Sequence, residues 1–189
     1  SAPNVIKLDP SGETMLPGWA LQDGRILTQA YGPMGFYGVS YITDLTSGIT
    51  RPLTFPNSDK LVKITGATPE GHIVFSGPDL SDPNKYIGQI TASGAITNVV
   101  TLAAAQETSV IWDGEFTPDQ TGVLVTISIE TKIPARTMFE YGLFSLLDGG
   151  TTRYTTLLAP QPGIRGISSL GSQYAVVSVA NDERGNAPG

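Results

Sequence analysis

Cysteine is absent from the 189-residue chain, and histidine occurs once. Without cysteine the chain forms no disulfide, no thiolate metal site and no thiol nucleophile. A zinc centre held by three histidines is impossible, and a lone histidine limits any histidine-based triad. We interpret that residue, His72, as a surface strand residue because it follows a turn glycine. The chain carries no cofactor-binding loop, so we expect no cofactor.

Positive charge is also scarce. Lysine and arginine total 11 against 17 aspartates and glutamates, which gives a formal net charge of -6. Nucleic acids require a basic stripe and anionic membrane surfaces attract basic segments, so neither is an expected partner. The sequence has no apolar run of roughly 18 residues, and we therefore expect no transmembrane helix and no membrane insertion.

Turn-forming residues and β-branched residues are abundant instead. The chain contains 22 glycines and 14 prolines, and threonine is frequent. No window shows sustained helical periodicity. This composition predicts an all-β chain.

A repeat of about 50 residues organises these turns. A tight turn followed by a short apolar strand occurs four times, and the segments align at glycines 24, 71, 122 and 171, which lie 47, 51 and 49 residues apart. Between these turns, a second kind of hairpin joins alternating strands. Two hairpins per repeat predict four antiparallel strands per unit, which is the blade of a β-propeller.

We therefore predict one β-propeller domain over residues 1–189, with four blades of four antiparallel strands. One blade is assembled from both ends of the chain, its outer hairpin from residues 1–17 and its inner hairpin from residues 164–189. The remaining blades cover residues 18–55, 61–102 and 109–158. Closing a ring in this way removes exposed sheet edges. The alternative is a fragment, or half of a larger propeller, including a homodimer joined through the terminal half-blades.

The repeats resemble those of the TolB-like and WD-repeat propeller family. In that family, the inner strand ends in a Trp-Ser-Pro-Asp-Gly-type turn and the outer hairpin leads into Leu-Thr. Here Trp19 precedes Asp23-Gly24, Pro118-Asp119 stands in the third repeat, and Leu53-Thr54 closes the first. The turn at 169–171 lacks the Pro-Asp pair. The resemblance covers nearly the whole chain and implies an architecture, but it implies no activity.

Candidate ligand-binding residues lie in the longer loops, which propeller connectivity places on the face opposite the tight turns. Long loops on a rigid scaffold commonly carry binding sites, and aromatic side chains there stack on sugars or anchor a protein partner. The aromatic, polar and charged candidates are Tyr31, Phe36, Tyr37, Asp79, Asp82, Lys85 and Arg136. The alternative is that the aromatic residues cover blade edges.

The polar loop also contains three side chains that could offer oxygen ligands to calcium, namely Asp79, Asp82 and Asn84. Their spacing is not that of an EF-hand loop. We interpret Trp19 and Trp112, which both fall near inner strands, as packing residues of the core or between blades.

A carboxylate pair could serve catalysis near the third inner strand. Glycoside hydrolysis needs two acids about 5–10 Å apart. The candidates are Glu107, Asp113 and Glu115. The alternative is that these acids form a turn before Phe116.

Three functions follow as hypotheses. The first is a non-catalytic, extracytoplasmic (periplasmic or secreted) module that binds a protein or glycan through the long-loop face. The second is a carbohydrate-active enzyme with a carboxylate pair near the central channel. The third is a structural half of a larger or dimeric propeller.

Overall fold

The computed structural model describes residues 18–30, 38–56, 62–77, 82–103, 109–132, 135–146, 152–162, 165–170 and 173–178. Within these ranges the regular elements are strands, in chain order β1 (Trp19–Ala20), β2 (Arg25–Gln29), β3 (Ser40–Asp44), β4 (Thr50–Pro52), β5 (Ile64–Ala67), β6 (His72–Ser76), β7 (Lys85–Ile90), β8 (Ile96–Leu102), β9 (Ser109–Phe116), β10 (Gly122–Lys132), β11 (Ala135–Leu146), β12 (Thr152–Pro162), β13 (Arg165–Leu170) and β14 (Gln173–Ser178). None of the described residues is helical, so the all-β prediction is confirmed. A helix long and apolar enough to cross a membrane is likewise not found in these ranges.

The strands form three four-stranded antiparallel sheets and one two-stranded hairpin. The first two sheets follow chain order, β1-β2-β3-β4 and β5-β6-β7-β8. The third sheet has the order β12-β11-β10-β9, and β13 pairs with β14. Four antiparallel strands per sheet were predicted from the two hairpins of each repeat. The closure of these sheets into a ring stays a prediction.

The chain divides into two compact units. One comprises Ser1–Leu80 with Tyr86–Val99, and the other Ser81–Lys85 with Val100–Gly189. The first unit holds the first sheet and most of the second. The other holds the third sheet and the β13–β14 hairpin. The assignment of residues 1–189 to one domain stays a prediction.

Three tight hairpins share one turn geometry. In each, the residue before a three-residue loop donates its amide to the carbonyl four residues later, as Leu21 does to Arg25 at 2.9 Å, Thr68 to His72 at 2.8 Å and Thr91 to Ala95 at 2.8 Å. The third loop residue is a glycine with positive φ: Gly24 (79°), Gly71 (88°) or Gly94 (86°). This is the three-residue hairpin loop that requires a left-handed residue before the second strand.

The third sheet departs from this pattern, and the alignment of Gly122 with the turn glycines is wrong. Its first hairpin closes from the Thr117 amide to the Gly122 carbonyl at 2.9 Å, one residue longer than the others. The left-handed residue is Gln120, with φ 59°, and Gly122 is the first residue of β10. A Cβ at Gly122 would lie 2.9 Å from the Phe144 carbonyl oxygen, so glycine is required there by close packing.

The core of the first unit lies between its two sheets. Buried apolar side chains from both sheets form one cluster: Leu21, Leu27, Ile42, Leu53, Phe55, Val62, Ile64, Ile73, Phe75, Ile90 and Ile96. The Phe55 and Phe75 rings meet with centroids 5.1 Å apart. Backbone bonds join the sheets as well, since Gln22 donates to the Pro69 carbonyl at 2.9 Å.

In the other unit, β10 is an interior strand of the third sheet, with β11 and β9 on either side. Val123, Leu124, Val125 and Ile127 on β10 are almost fully buried. The edge strand β9 instead alternates between buried and exposed residues, and this alternation positions the candidate site.

Candidate functional site

A β-bulge on β9 presents a tryptophan to solvent. Asp113 pairs with Thr126 and Ile111 pairs with Ile127, so Trp112 is an extra residue without a partner on β10. Ile111 and Gly114 are buried, while Trp112 and Asp113 between them are both exposed. An extra residue of this kind re-aims side chains on an edge strand. Trp112 is 64% exposed, so its interpretation as a packing residue is wrong.

Two carboxylates accompany this indole. Asp113 and Glu115 lie two residues apart on β9, and both are exposed. Residues at this spacing share a face and lie roughly 7 Å apart along a strand. Partial burial of the Glu115 carboxyl group, together with the neighbouring Asp113 charge, raises the pKa of Glu115 above its usual range. Asp113 accepts a hydrogen bond from the Gly114 amide at 2.9 Å.

A second predicted segment lies against the same strand. The Ile111 amide donates to the Pro83 carbonyl at 2.9 Å, which places residues 82–84 beside β9. The Asp82 carboxylate accepts from the Asn84 amide at 3.0 Å and so supports a local turn. Asp82, predicted for ligand binding, therefore lies in a segment that contacts β9 at Ile111. No group of three or more histidines, aspartates or glutamates placed for a metal ion occurs among the described residues.

Five of the other predicted site residues fall in segments that the structure does not describe. Tyr31, Phe36, Tyr37, Asp79 and Glu107 lie outside the described residues. Lys85, expected in an exposed loop, is instead the first residue of β7 and only 6% exposed.

The loop expected over residues 130–136 is largely strand. β10 continues to Lys132 and β11 begins at Ala135, with Arg136 paired in register with Thr131. The threonines and isoleucines that alternate along β10 are typical of a strand, and they extend it into this segment. His72, interpreted as a surface strand residue, is the first residue of β6 and is half-buried.

Comparison with known proteins adds no family. No family model, no curated protein and no solved structure matches this chain. The candidate site is therefore argued from its geometry alone.

A small polar pocket lies at the tight-turn end of the first unit. Its volume is about 60 Å³, and its walls are Arg25, Ile42, Asp44, Ser47, Ile49, Arg51 and Ala92. Arg25 is held by Asp23 in an ion pair of 2.6 Å, and it also donates to the Thr91 carbonyl at 2.7 Å. Two backbone amides, those of Ser47 and Thr46, lower the pKa of Asp44. The charged groups are thus engaged in holding turns together.

A tyrosine–glutamate pair lies on the third sheet. The Tyr154 hydroxyl donates a short hydrogen bond to Glu140, and Thr156 donates to the same carboxylate oxygen at 3.3 Å. Burial and the Glu140 partner raise the pKa of Tyr154. The Tyr154 ring covers Gly142, where a Cβ would collide with it. The Tyr154 ring also packs on the Phe144 ring, with centroids 4.9 Å apart. We therefore interpret the Tyr154–Glu140 pair as a structural contact that holds the tyrosine ring over Gly142.

No local pattern in the sequence indicates the exposed tryptophan. Trp112 ends a run of three apolar residues that begins at Val110, and a large aromatic in such a run is normally assigned to the core. Only the register with β10 reveals the extra residue. The adjacent Asp113 and Glu115, predicted as a candidate carboxylate pair, are the nearest indication of this surface in the sequence.

Proposed function

We propose that this chain is a non-catalytic glycan-binding module whose contact surface is Trp112 with Asp113 and Glu115. The observation that carries the proposal is the 64% exposure of an indole held at a bulge between two buried residues. A flat, rigid aromatic face covers the apolar face of a sugar ring at little entropic cost. Carboxylates beside it accept hydrogen bonds from hydroxyl groups.

A glycan fits this surface better than a protein partner. The buried core of a protein interface is depleted of charged residues and enriched in several aromatic side chains. Here Trp112 is the one exposed aromatic residue of β9, since Phe116 is buried, and two acids follow it within three positions. A glycan ligand agrees with the expected extracytoplasmic location, which remains part of the proposal.

Binding should depend on Trp112 and should be visible in its fluorescence. The chain has two tryptophans, so a Trp19→Phe protein reports on Trp112 alone. We expect a blue shift of its emission when a ligand covers the indole. Trp112→Ala should weaken binding to a soluble polysaccharide by roughly tenfold or more, which is the usual effect of truncating a residue at the centre of an interface. Isothermal titration and the emission shift are the measurements.

Leu157→Ala is the matched control for this experiment. Leu157 is 39% exposed and is likewise an extra residue, at a register shift on β12, the opposite edge of the same sheet. The Leu157→Ala protein should bind the polysaccharide as the unchanged protein does. Both variants should melt at nearly the temperature of the unchanged protein, because substitutions at exposed positions change stability little. Equal losses in the two variants would contradict a site at Trp112.

A second candidate is a carbohydrate-active enzyme that uses Asp113 and Glu115. Its specific support is the raised pKa of Glu115 beside the Asp113 carboxyl group, because a carboxyl group whose surroundings raise its pKa is typical of a general acid. Both carboxylates lie on an exposed strand face rather than in a closed cleft. The enzyme hypothesis would be favoured over the binding module if shortened oligosaccharides are released during the binding experiments and Glu115→Gln abolishes their release.

We infer, further, that the sheets are blades of a β-propeller. Support comes from the chain-ordered four-stranded sheets, from the turn geometry that recurs at one end of the first two sheets, and from the way these two pack through one core. In the four-bladed form, β13–β14 is the inner hairpin of the fourth blade. A solution mass near 19.9 kDa supports that form, whereas twice that mass favours two chains sharing a larger ring.

A further inference from the structure

The charged residues that β9 presents beside Trp112 are both acidic, namely Asp113 and Glu115. Their register partners on β10, Thr126 and Leu124, carry no charge. The chain as a whole is negative, at -6. A ligand that contacts Trp112 together with these two side chains must therefore tolerate or prefer negative charge.

An indole and two carboxylates together favour a cation. The face of a tryptophan ring attracts an ammonium group through its quadrupole, by about 0.5–1 kcal/mol at exposed sites. A carboxylate beside the ring adds a charge-assisted hydrogen bond to the same ammonium. A neutral hydroxyl gains less from both, and an acidic sugar is repelled.

We propose that the glycan held at Trp112, Asp113 and Glu115 is a cationic one, built from amino sugars with free amines. This inference rests on the proposed glycan-binding function. The pyranose face stacks on Trp112, while an ammonium on the ring edge contacts Asp113 or Glu115. Stacking on Trp112 supplies contact area that all pyranoses share, and the two carboxylates favour the sugar that carries an ammonium group.

The test compares oligosaccharides of chitosan, chitin and cellulose of equal length. They share one backbone linkage and differ in one ring substituent, which is an amine, an acetamide or a hydroxyl. At a mildly acidic pH and low salt, we expect chitosan to bind about tenfold more tightly than the other two. Added salt should narrow this difference, because exposed charge pairs are screened over roughly 10 Å at 0.1 M.

Variants separate the charge from the stacking. The double variant Asp113→Asn with Glu115→Gln should reduce chitosan binding to the level at which the same variant binds the neutral oligosaccharides, whose own binding should fall much less. Trp112→Ala should weaken all three. The matched control is Asp44→Asn with Glu70→Gln, which removes two charges from turns of the first unit. It should preserve the preference for chitosan.

The outcomes distinguish this inference from the function on which it rests. Equal binding of the three oligosaccharides, or a preference for chitin or cellulose, would overturn the cationic ligand and retain the glycan module. Binding to none of them, with a lysine-rich peptide bound through Trp112 instead, would overturn both. A chitosan preference that falls equally in the double variant and in the control would assign selectivity to net charge, and one that survives the double variant would show that the two carboxylates do not select the ligand. Either result would overturn the inference.

Discussion

Glu115 differs from the turn aspartates in what its charge does to folding. Its pKa is raised in the folded chain, chiefly by partial burial of its carboxyl group and then by Asp113. A raised carboxyl pKa means that ionisation opposes folding at every pH above that value. Asp44 has the opposite shift, because its carboxylate accepts from the Ser47 and Thr46 amides at 2.9 and 2.8 Å. Ionisation of Asp44 therefore favours the folded state.

Because the two pKa shifts are opposite, removing the Glu115 charge and removing the Asp44 charge should change the melting temperature in opposite directions. Glu115→Gln should raise the melting temperature at neutral pH, since it removes the cost of ionisation. This gain in melting temperature should vanish as the pH falls through the raised pKa of Glu115, because the protonated Glu115 side chain is then uncharged, as glutamine is. Differential scanning calorimetry from neutral pH down to about pH 3, which is below the usual carboxyl pKa, measures the difference in melting temperature with Glu115 charged and with Glu115 protonated.

Asp44→Ala is the comparison at the same scale. It should lower the melting temperature at neutral pH, and this loss should shrink as the pH falls through the depressed pKa of Asp44. A neutral-pH Glu115→Gln protein less stable than the unchanged protein would mean that the carboxylate stabilises β9. It would also contradict the role of Glu115 as a group retained for binding at some expense of stability.

Among the elements, the hairpins were predictable from sequence and the bulges were not. Gly24, Gly71 and Gly94 are each needed by a left-handed loop position, and such a local requirement is visible in one short segment. The extra residue at Trp112 depends on how β9 pairs with β10, which no local pattern encodes. The same reason applies to Gln120, which takes the left-handed position expected of a glycine.

Between the first two sheets, a buried glutamine acts as a polar clip. Gln29 on β2 is 2% exposed. Its amide donates to the Val62 carbonyl at 2.6 Å, and its carbonyl accepts from the Ile64 amide at 3.2 Å. Leucine is one atom shorter and can satisfy neither the Val62 carbonyl nor the Ile64 amide. A buried group left without its partner costs about 1–3 kcal/mol.

Gln29→Leu should therefore destabilise the protein by at least about 2 kcal/mol, measured as the free energy of unfolding in urea. Gln89→Leu is the matched control, because Gln89 on β7 bonds the Asn98 side chain at an exposed position at 3.2 Å. That control should change stability by less than about 0.5 kcal/mol. Equal effects of the two substitutions would mean that the clip contributes no more than a surface hydrogen bond.

For the whole molecule, the question is whether the two compact units unfold together. Each contains one tryptophan, Trp19 in the first and Trp112 in the other. Trp112→Phe thus reports on the first unit, and Trp19→Phe reports on the other. In a closed propeller each blade packs face to face on two neighbours, so the blades support one another and the chain should unfold in a single cooperative step.

In a closed ring, the two single-tryptophan proteins should show coincident urea transitions. Adding Gln29→Leu, which lies in the first unit, should lower the midpoint reported by Trp112 as much as that reported by Trp19. This coupling is the decisive observation, because two independent units of equal stability would also give coincident curves but would not share the effect of a substitution. If Gln29→Leu moves only the transition seen by Trp19, the units fold separately and the closed four-bladed ring is wrong. The glycan proposal would survive that result, since Trp112, Asp113 and Glu115 all lie on one strand of one unit.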